Sequence, residues 1–132
     1  MKRVMVGGTF DIFHPGHEYF LREAKKKGDE LIVVIARDQN VIRIKEKKAR
    51  NNENERLKKV FESKIADKVI LGNKGNIFDI VEEIKPEVIC IGYDQQISKD
   101  KLKEEIKKRK MNIQIVRINS FKPEIYKSSL LR

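Results

Sequence analysis

Cysteine is nearly absent from this chain. Cys90 is the only one and sits in the apolar run Val88-Ile89-Cys90-Ile91. A disulfide within the chain is excluded, and a buried thiol in a reducing compartment is expected. No stretch approaches the roughly 20 apolar residues that cross a membrane. Gly7-Gly8 also interrupt the N-terminal apolar run before it could serve as the core of a signal peptide. A soluble, cytoplasmic protein with no membrane partner is the expectation. Histidine is scarce, with His14 and His17 the only two. Internal repeats and linkers leave no trace, and 132 residues suit one domain around one continuous core.

What is abundant is charge. Charged residues make up 38% of the chain and hydrophobic ones 39%, with a formal net charge of +10. The apolar residues nevertheless come in blocks such as Leu31-Ile32-Val33-Val34-Ile35-Ala36, which argues for a folded chain. Positive charge makes nucleic acid, an acidic membrane surface or a polyphosphate substrate electrostatically plausible, and sign alone does not choose. Much of the excess lies in residues 43–50 and 99–110, interrupted by Glu46, Asp100, Glu104 and Glu105. Interleaving of this kind makes the second run a solvated helix face. No aromatic RNA-recognition signature or zinc-finger spacing is visible, so no nucleic-acid partner is expected. A nonenzymatic basic binding module stands as the alternative of a different class.

Short Val- and Ile-rich blocks recur at residues 3–6, 31–36, 68–71, 88–91 and 113–116, each reading as a strand buried on both faces. Segments with helical spacing lie between them, at 19–27, 53–64, 77–84 and 98–108. Alternation of strand and helix requires crossover connections, which lay the strands parallel and cover both faces with helices. The predicted fold is a single α/β domain over residues 1–132, a doubly wound five-stranded parallel sheet. Pro15 suits a first helical turn, Gly28 follows a Lys-rich helix end, and Pro86 separates the third helix from the fourth strand. In such sheets ligands bind beyond the carboxyl ends of the strands, where strand order reverses. The segments following strands one, two and four are therefore expected to meet.

The first strand runs into Gly7-Gly8-Thr9-Phe10-Asp11, followed by Ile12-Phe13-His14-Pro15-Gly16-His17 at the mouth of the first helix. Small residues there let backbone N–H groups approach an anion, and the helix start adds partial positive charge. His14 and His17, three apart across Pro15-Gly16, can turn both imidazoles toward one spot and bracket a phosphate. Taken singly, either could be a structural hydrogen-bonder. A zinc site would need further ligands that this spacing does not supply.

The segment from Gly8 to His17 resembles the GTFD…HxGH signature of the cytidylyltransferase-like branch of the nucleotidyltransferase superfamily. The resemblance continues through Ala36-Arg37-Asp38 after the second strand, Lys45 and Lys47 in a basic loop, and Gly92-Tyr93-Asp94-Gln95 after the fourth strand. Tyr126-Lys127-Ser128-Ser129 is a looser match to the hydroxyl-rich, ISTT-like helix start of that family. The resemblance implies in-line attack of an acceptor phosphate on the α-phosphate of a nucleoside triphosphate, with release of pyrophosphate and no covalent intermediate. An acceptor phosphate is already ionised, so such an enzyme works mainly by positioning and charge stabilisation.

On the same resemblance, His14 and His17 are the catalytic donors. Gly8, Thr9, Phe10, Asp11, Pro15, Gly16, Gly92, Asp94, Tyr126, Ser128 and Ser129 seat the nucleotide. Lys45 or Lys47 reaches the triphosphate, or else belongs to a solvated basic loop. Arg37, Tyr93, Gln95 and Asp11 face the acceptor. Mg2+ accompanies the triphosphate, held largely by substrate oxygens and water rather than by a protein cage. Asp11 is the nearest carboxylate to it, or orders the loop instead. Arg56 is either a counterpart of a family arginine or a partner of Glu53 on the helix surface. Ala36-Arg37-Asp38 with Gly92-Tyr93-Asp94-Gln95 is most similar to the archaeal FAD synthetases, which adenylylate FMN. ATP and FMN are the favoured substrates. CTP with glycerol 3-phosphate, or ATP with a heptose phosphate, are the alternatives, although their GDDW-like and GGDY-like fourth-strand endings are absent. Tyr93 or Phe121 could stack on a flavin ring or simply pack. Family members often pair, so the resemblance admits a homodimer, and the oligomeric state stays open.

Overall fold

The computed structural model describes residues 2–45, 50–73, 78–92 and 99–118, with backbone only for 42–45. Strands β1 (Arg3–Gly8), β2 (Glu30–Ile35), β3 (Lys68–Leu71), β4 (Val88–Gly92) and β5 (Gln114–Ile118) alternate with helices. The helices are α1 (Pro15–Lys25), α2 (Asp38–Lys45), α3 (Glu53–Glu62), α4 (Asp79–Ile84) and α5 (Lys99–Lys108). All pairings are parallel and the sheet order is β3-β2-β1-β4-β5. The doubly wound five-stranded sheet expected from the alternation is the fold observed.

Period-2 alternation divides the core in two. Val4, Val6, Leu31, Val33, Ile35, Val88 and Cys90 face one side, where Leu21 and Ala24 of α1 and Val60 of α3 cover them. Met5, Ile32, Val34, Ile89 and Ile91 face the other, under Ile80, Val81 and Ile84 of α4 and Leu102 and Ile106 of α5. Burial on both faces holds for β1, β2 and β4, whose central residues are all buried. It does not hold for β3 and β5, which lie at the sheet edges and are mostly half-buried. The apolar runs look alike in sequence, but only interior strands have helices and strands on every side.

Two further expectations change. Lys45 ends helix α2 rather than lying in a loop. Gly28 does not supply a left-handed helix end, since none of the described glycines has positive φ. It is required for close packing: a Cβ there would sit 2.7 Å from Val4 Cγ2 and 2.8 Å from the Lys2 carbonyl oxygen. That contact seats the α1–β2 connection against the start of β1.

The chain winds from β1 outward to β2 and β3, then returns past β1 to β4 and β5, so strand order reverses between β1 and β4. The register between these two runs only from Val4↔Val88 to Val6↔Cys90, whereas β1 follows β2 as far as Gly8↔Ile35 and β4 follows β5 as far as Gly92↔Ile118. The carboxyl ends of the central pair thus flank the switch point where a ligand crevice forms.

Candidate active site

Beyond Gly8 the chain turns sharply. Phe10 takes left-handed backbone geometry, φ 51°, and buries its ring in the core. For a residue with a Cβ this costs about 1–2 kcal/mol, and such strain gathers at functional loops.

His14 is the N-cap of α1, extended at φ −143° and ψ 173°, with Pro15 in the first helical position. Its Nδ1 accepts from the Gly16 N–H at 3.0 Å, and His17 Nδ1 accepts from the His14 N–H at 3.3 Å. Two imidazoles thus perform the reciprocal capping usually done by Ser or Thr with Glu or Gln. The chemical consequence is direct: a nitrogen that accepts a hydrogen bond carries no proton. Each ring therefore keeps its N–H at Nε2. The rings stack at 3.9 Å between centroids, 24° apart, so both donors come from one compact unit.

Asp11 accepts the Arg50 N–H with Oδ2 and the Asn51 N–H with Oδ1, both at 2.9 Å, while Asn51 Nδ2 donates to the Asp11 carbonyl at 2.6 Å. This geometry orders the loop. Among the described residues no group of three or more His, Cys, Asp or Glu is placed to hold a metal ion.

Arg56 departs from the surface reading. Its side chain is fully buried, donating from Nε to the Asn51 carbonyl at 3.0 Å, from Nη1 to the Thr9 carbonyl at 2.9 Å and from Nη2 to Asp38 Oδ1 at 2.6 Å. Glu53 turns instead to Arg37 Nη1 at 3.0 Å and accepts the Asp38 N–H at 2.9 Å. One guanidinium therefore ties the loop after β1 to the starts of α2 and α3. The signal for it was present in the spacing: Arg56 lies four residues before Val60, which places both on the inward face of α3. Asn51 carried no comparable signal.

Gly8, Thr9, Phe10, Asp11, His14, Pro15, Gly16 and His17 form one continuous turn at the end of β1. Arg56 brings Asp38, after β2, to Thr9. Arg37 stands beside them, its Nε donating to the Gly72 carbonyl at 2.8 Å. Gly92 ends β4 across the switch point. The Lys45 side chain, and Lys47, Tyr93, Asp94, Gln95, Phe121, Tyr126, Ser128 and Ser129, lie outside the described residues.

Residues 5–132 match the cytidylyltransferase-like family. The chain belongs to that family. Among cytidylyltransferase-like relatives, the FAD synthase of Archaeoglobus profundus is 50% identical over 120 residues, covering 91% of this chain and 76% of the relative. The FAD synthase of Thermoplasma volcanium is 42% identical and covers 100% of this chain and 92% of the relative. A solved structure described as the lipopolysaccharide core biosynthesis protein from Thermoplasma volcanium GSS1 has a TM-score of 0.85 at 44% identity, covering 92% of this chain and 98% of that one. Pantothenate synthetase from Thermus thermophilus, at 11% identity and a TM-score of 0.65 over 94% of this chain and 58% of that one, shares the fold alone. This cytidylyltransferase-like chain is a nucleotidyltransferase.

Proposed function

We propose that the chain transfers AMP from ATP to FMN, producing FAD and pyrophosphate. An FMN phosphate oxygen attacks the α-phosphorus of ATP, the bond from that phosphorus to the bridging oxygen of the β-phosphate breaks, and pyrophosphate leaves. No proton has to be removed from the nucleophile, so the protein's task is to align the two phosphates and answer the charge that develops. The observation that carries this reading is the paired capping of α1: each imidazole accepts at Nδ1, which leaves its N–H at Nε2 and supports a donor role toward the phosphates.

In this reading the peptide groups of Gly8, Thr9 and Phe10, with Pro15 and Gly16 at the start of α1, seat the nucleotide. Gly92, Asp94, Tyr126, Ser128 and Ser129 complete its pocket, and Lys45 or Lys47 meets the triphosphate. Arg37, Tyr93 and Gln95 receive the flavin phosphate, while Asp11 holds residues 50 and 51 in place. Magnesium arrives as the ATP complex. The backbone donors on both Asp11 oxygens fit a metal carried by substrate oxygens and water rather than by the protein. The enzyme works in the cytoplasm.

Identity of 42–52% to FAD synthases from archaea supports FMN as acceptor. The description of the Thermoplasma structure favours a sugar-phosphate acceptor as the second reading. Pairing ATP and CTP with FMN, glycerol 3-phosphate and a sugar 1-phosphate, read as pyrophosphate, separates them. FAD from ATP and FMN alone is expected. Turnover of a sugar phosphate without FAD formation would transfer the assignment to the second reading.

A further inference from the structure

Three aromatic contacts converge on the His17 imidazole. The bond from the His14 N–H is 3.3 Å long, beyond the usual range for such contacts, and holds the ring weakly. A half-turn of the imidazole about Cβ–Cγ would carry Nδ1 off this donor and swing Nε2 away from its present direction. Three rings oppose that rotation. His14 stacks on His17 at 3.9 Å, Phe13 lies nearly parallel to it at 5.6 Å and 24°, and Phe10 meets it edge-on at 5.2 Å and 69°. Both phenyl contacts fall in the range of favourable aromatic pairs.

Phe13 stands immediately before the N-cap. An apolar residue in that place commonly packs on the first turn and sets the angle at which the chain joins the helix. Here the packed side chain is an imidazole expected to do chemistry. We infer that Phe13 is a positioning residue for nucleotidyl transfer, its ring lying along the His17 imidazole and fixing the direction of the Nε2–H. Phe10, whose ring is buried, meets the same imidazole edge-on from the core side. A flat ring resists rotation of a flat neighbour, whereas an aliphatic side chain of similar bulk fills the space without presenting a plane. Phe13 touches no reacting atom in this scheme. The inference rests on the reading that His17 donates to the transferring phosphates.

The experiment compares full-length Phe13→Leu and Phe13→Tyr with the parent chain. Kinetics of FAD formation are measured, together with proton–nitrogen correlation spectra of the imidazoles without nucleotide. Only two histidines contribute, so the signals are readily separated. In Phe13→Leu the expected result is a kcat lower by about 10-fold, with KM for ATP and FMN within about two-fold, as for misalignment without lost binding. The His17 nitrogens should also shift from a single Nε2–H form toward an averaged pair. Phe13→Tyr, which keeps the ring, should restore both. Unchanged kcat and unchanged His17 signals in a folded Phe13→Leu would overturn the inference. Altered signals with undiminished kcat would overturn it as well, and His17→Ala then locates the fault. Full turnover in that variant removes the histidine's role, and lost turnover removes only the brace.

Discussion

Arg56 and Asp38 form an ion pair at 2.6 Å in which the guanidinium is wholly buried and the carboxylate side chain is 42% exposed. The pair is asymmetric, and so are the consequences of breaking it. Arg56→Met leaves the half-buried carbonyls of Thr9 and Asn51 without these donors and should cost about 2 kcal/mol, the scale of unsatisfied acceptors. Asp38→Asn keeps an acceptor but strips the buried guanidinium of this counter-charge and should cost about 3 kcal/mol, the scale of a buried charge left unpaired. Urea unfolding midpoints check the order. A smaller loss in Asp38→Asn than in Arg56→Met would mean that another group compensates the buried guanidinium.

His14 caps a helix and, in the proposed reaction, contacts phosphate, and substitution can part the two roles. Asn is at least as good an N-cap as most side chains, but it would not place a donor where Nε2 stands. His14→Asn should unfold within about 0.5 kcal/mol of the parent chain while turning over about 100-fold more slowly, the cost of one lost charge-stabilising donor. His14→Ala should lose both. Steady-state FAD formation beside thermal unfolding measures the separation, and near-normal turnover in His14→Asn would remove the imidazole from the chemistry.

Burial pushes the Cys90 thiol up to about 11. At pH 8 only about one thiol in a thousand is ionised, and the thiolate is the reactive form. An aromatic disulfide reagent should label the folded protein very slowly and the urea-unfolded protein within seconds to minutes. Rapid labelling of the native chain would show that β4 opens readily.

Asp67 responds to acid. The Lys25 ammonium, donating to it at 2.5 Å, and the Leu31 N–H at 2.7 Å hold its carboxyl below the usual range. Its folded value lies beneath its unfolded value of about 4. The stability it contributes is therefore fully present above pH 4 and is lost as pH falls through the folded value. The pair lies at the surface, so the contribution is under about 1 kcal/mol. Asp67→Asn should show a flatter decline in urea midpoint between pH 4 and pH 2 than the parent chain. Parallel curves would place the acid sensitivity in other carboxylates.

Gly28 gives a packing test. An added methyl would press on Val4 Cγ2 and on the Lys2 carbonyl, and backbone yields less than a side-chain tip. Gly28→Ala should destabilise by about 1–3 kcal/mol, read from thermal unfolding, with catalysis per folded molecule unaffected.

Much of the site was legible because its central residues are contiguous. Gly8 through His17 occupy one turn between a strand and a helix, and local geometry alone brings them together. Arg56 was harder to place because it competes for partners. Glu53 lies three residues away on the same helix, yet the arginine turns inward to Thr9, 47 positions back along the chain. Helix α2 was missed because its eight residues run into the basic stretch at 43–50, which reads as a loop.

The sequence by itself determined the alternation of strands and helices, the parallel sheet that alternation requires, and the histidine pair at the end of β1. Each follows from neighbours within a few residues and from which face of an element they occupy. Tertiary structure alone decided that β3 and β5 are half-exposed edges and that Arg56 links three segments. Periodicity records the direction in which a side chain points. What it meets there depends on chain segments tens of residues away, which come together only when the sheet closes.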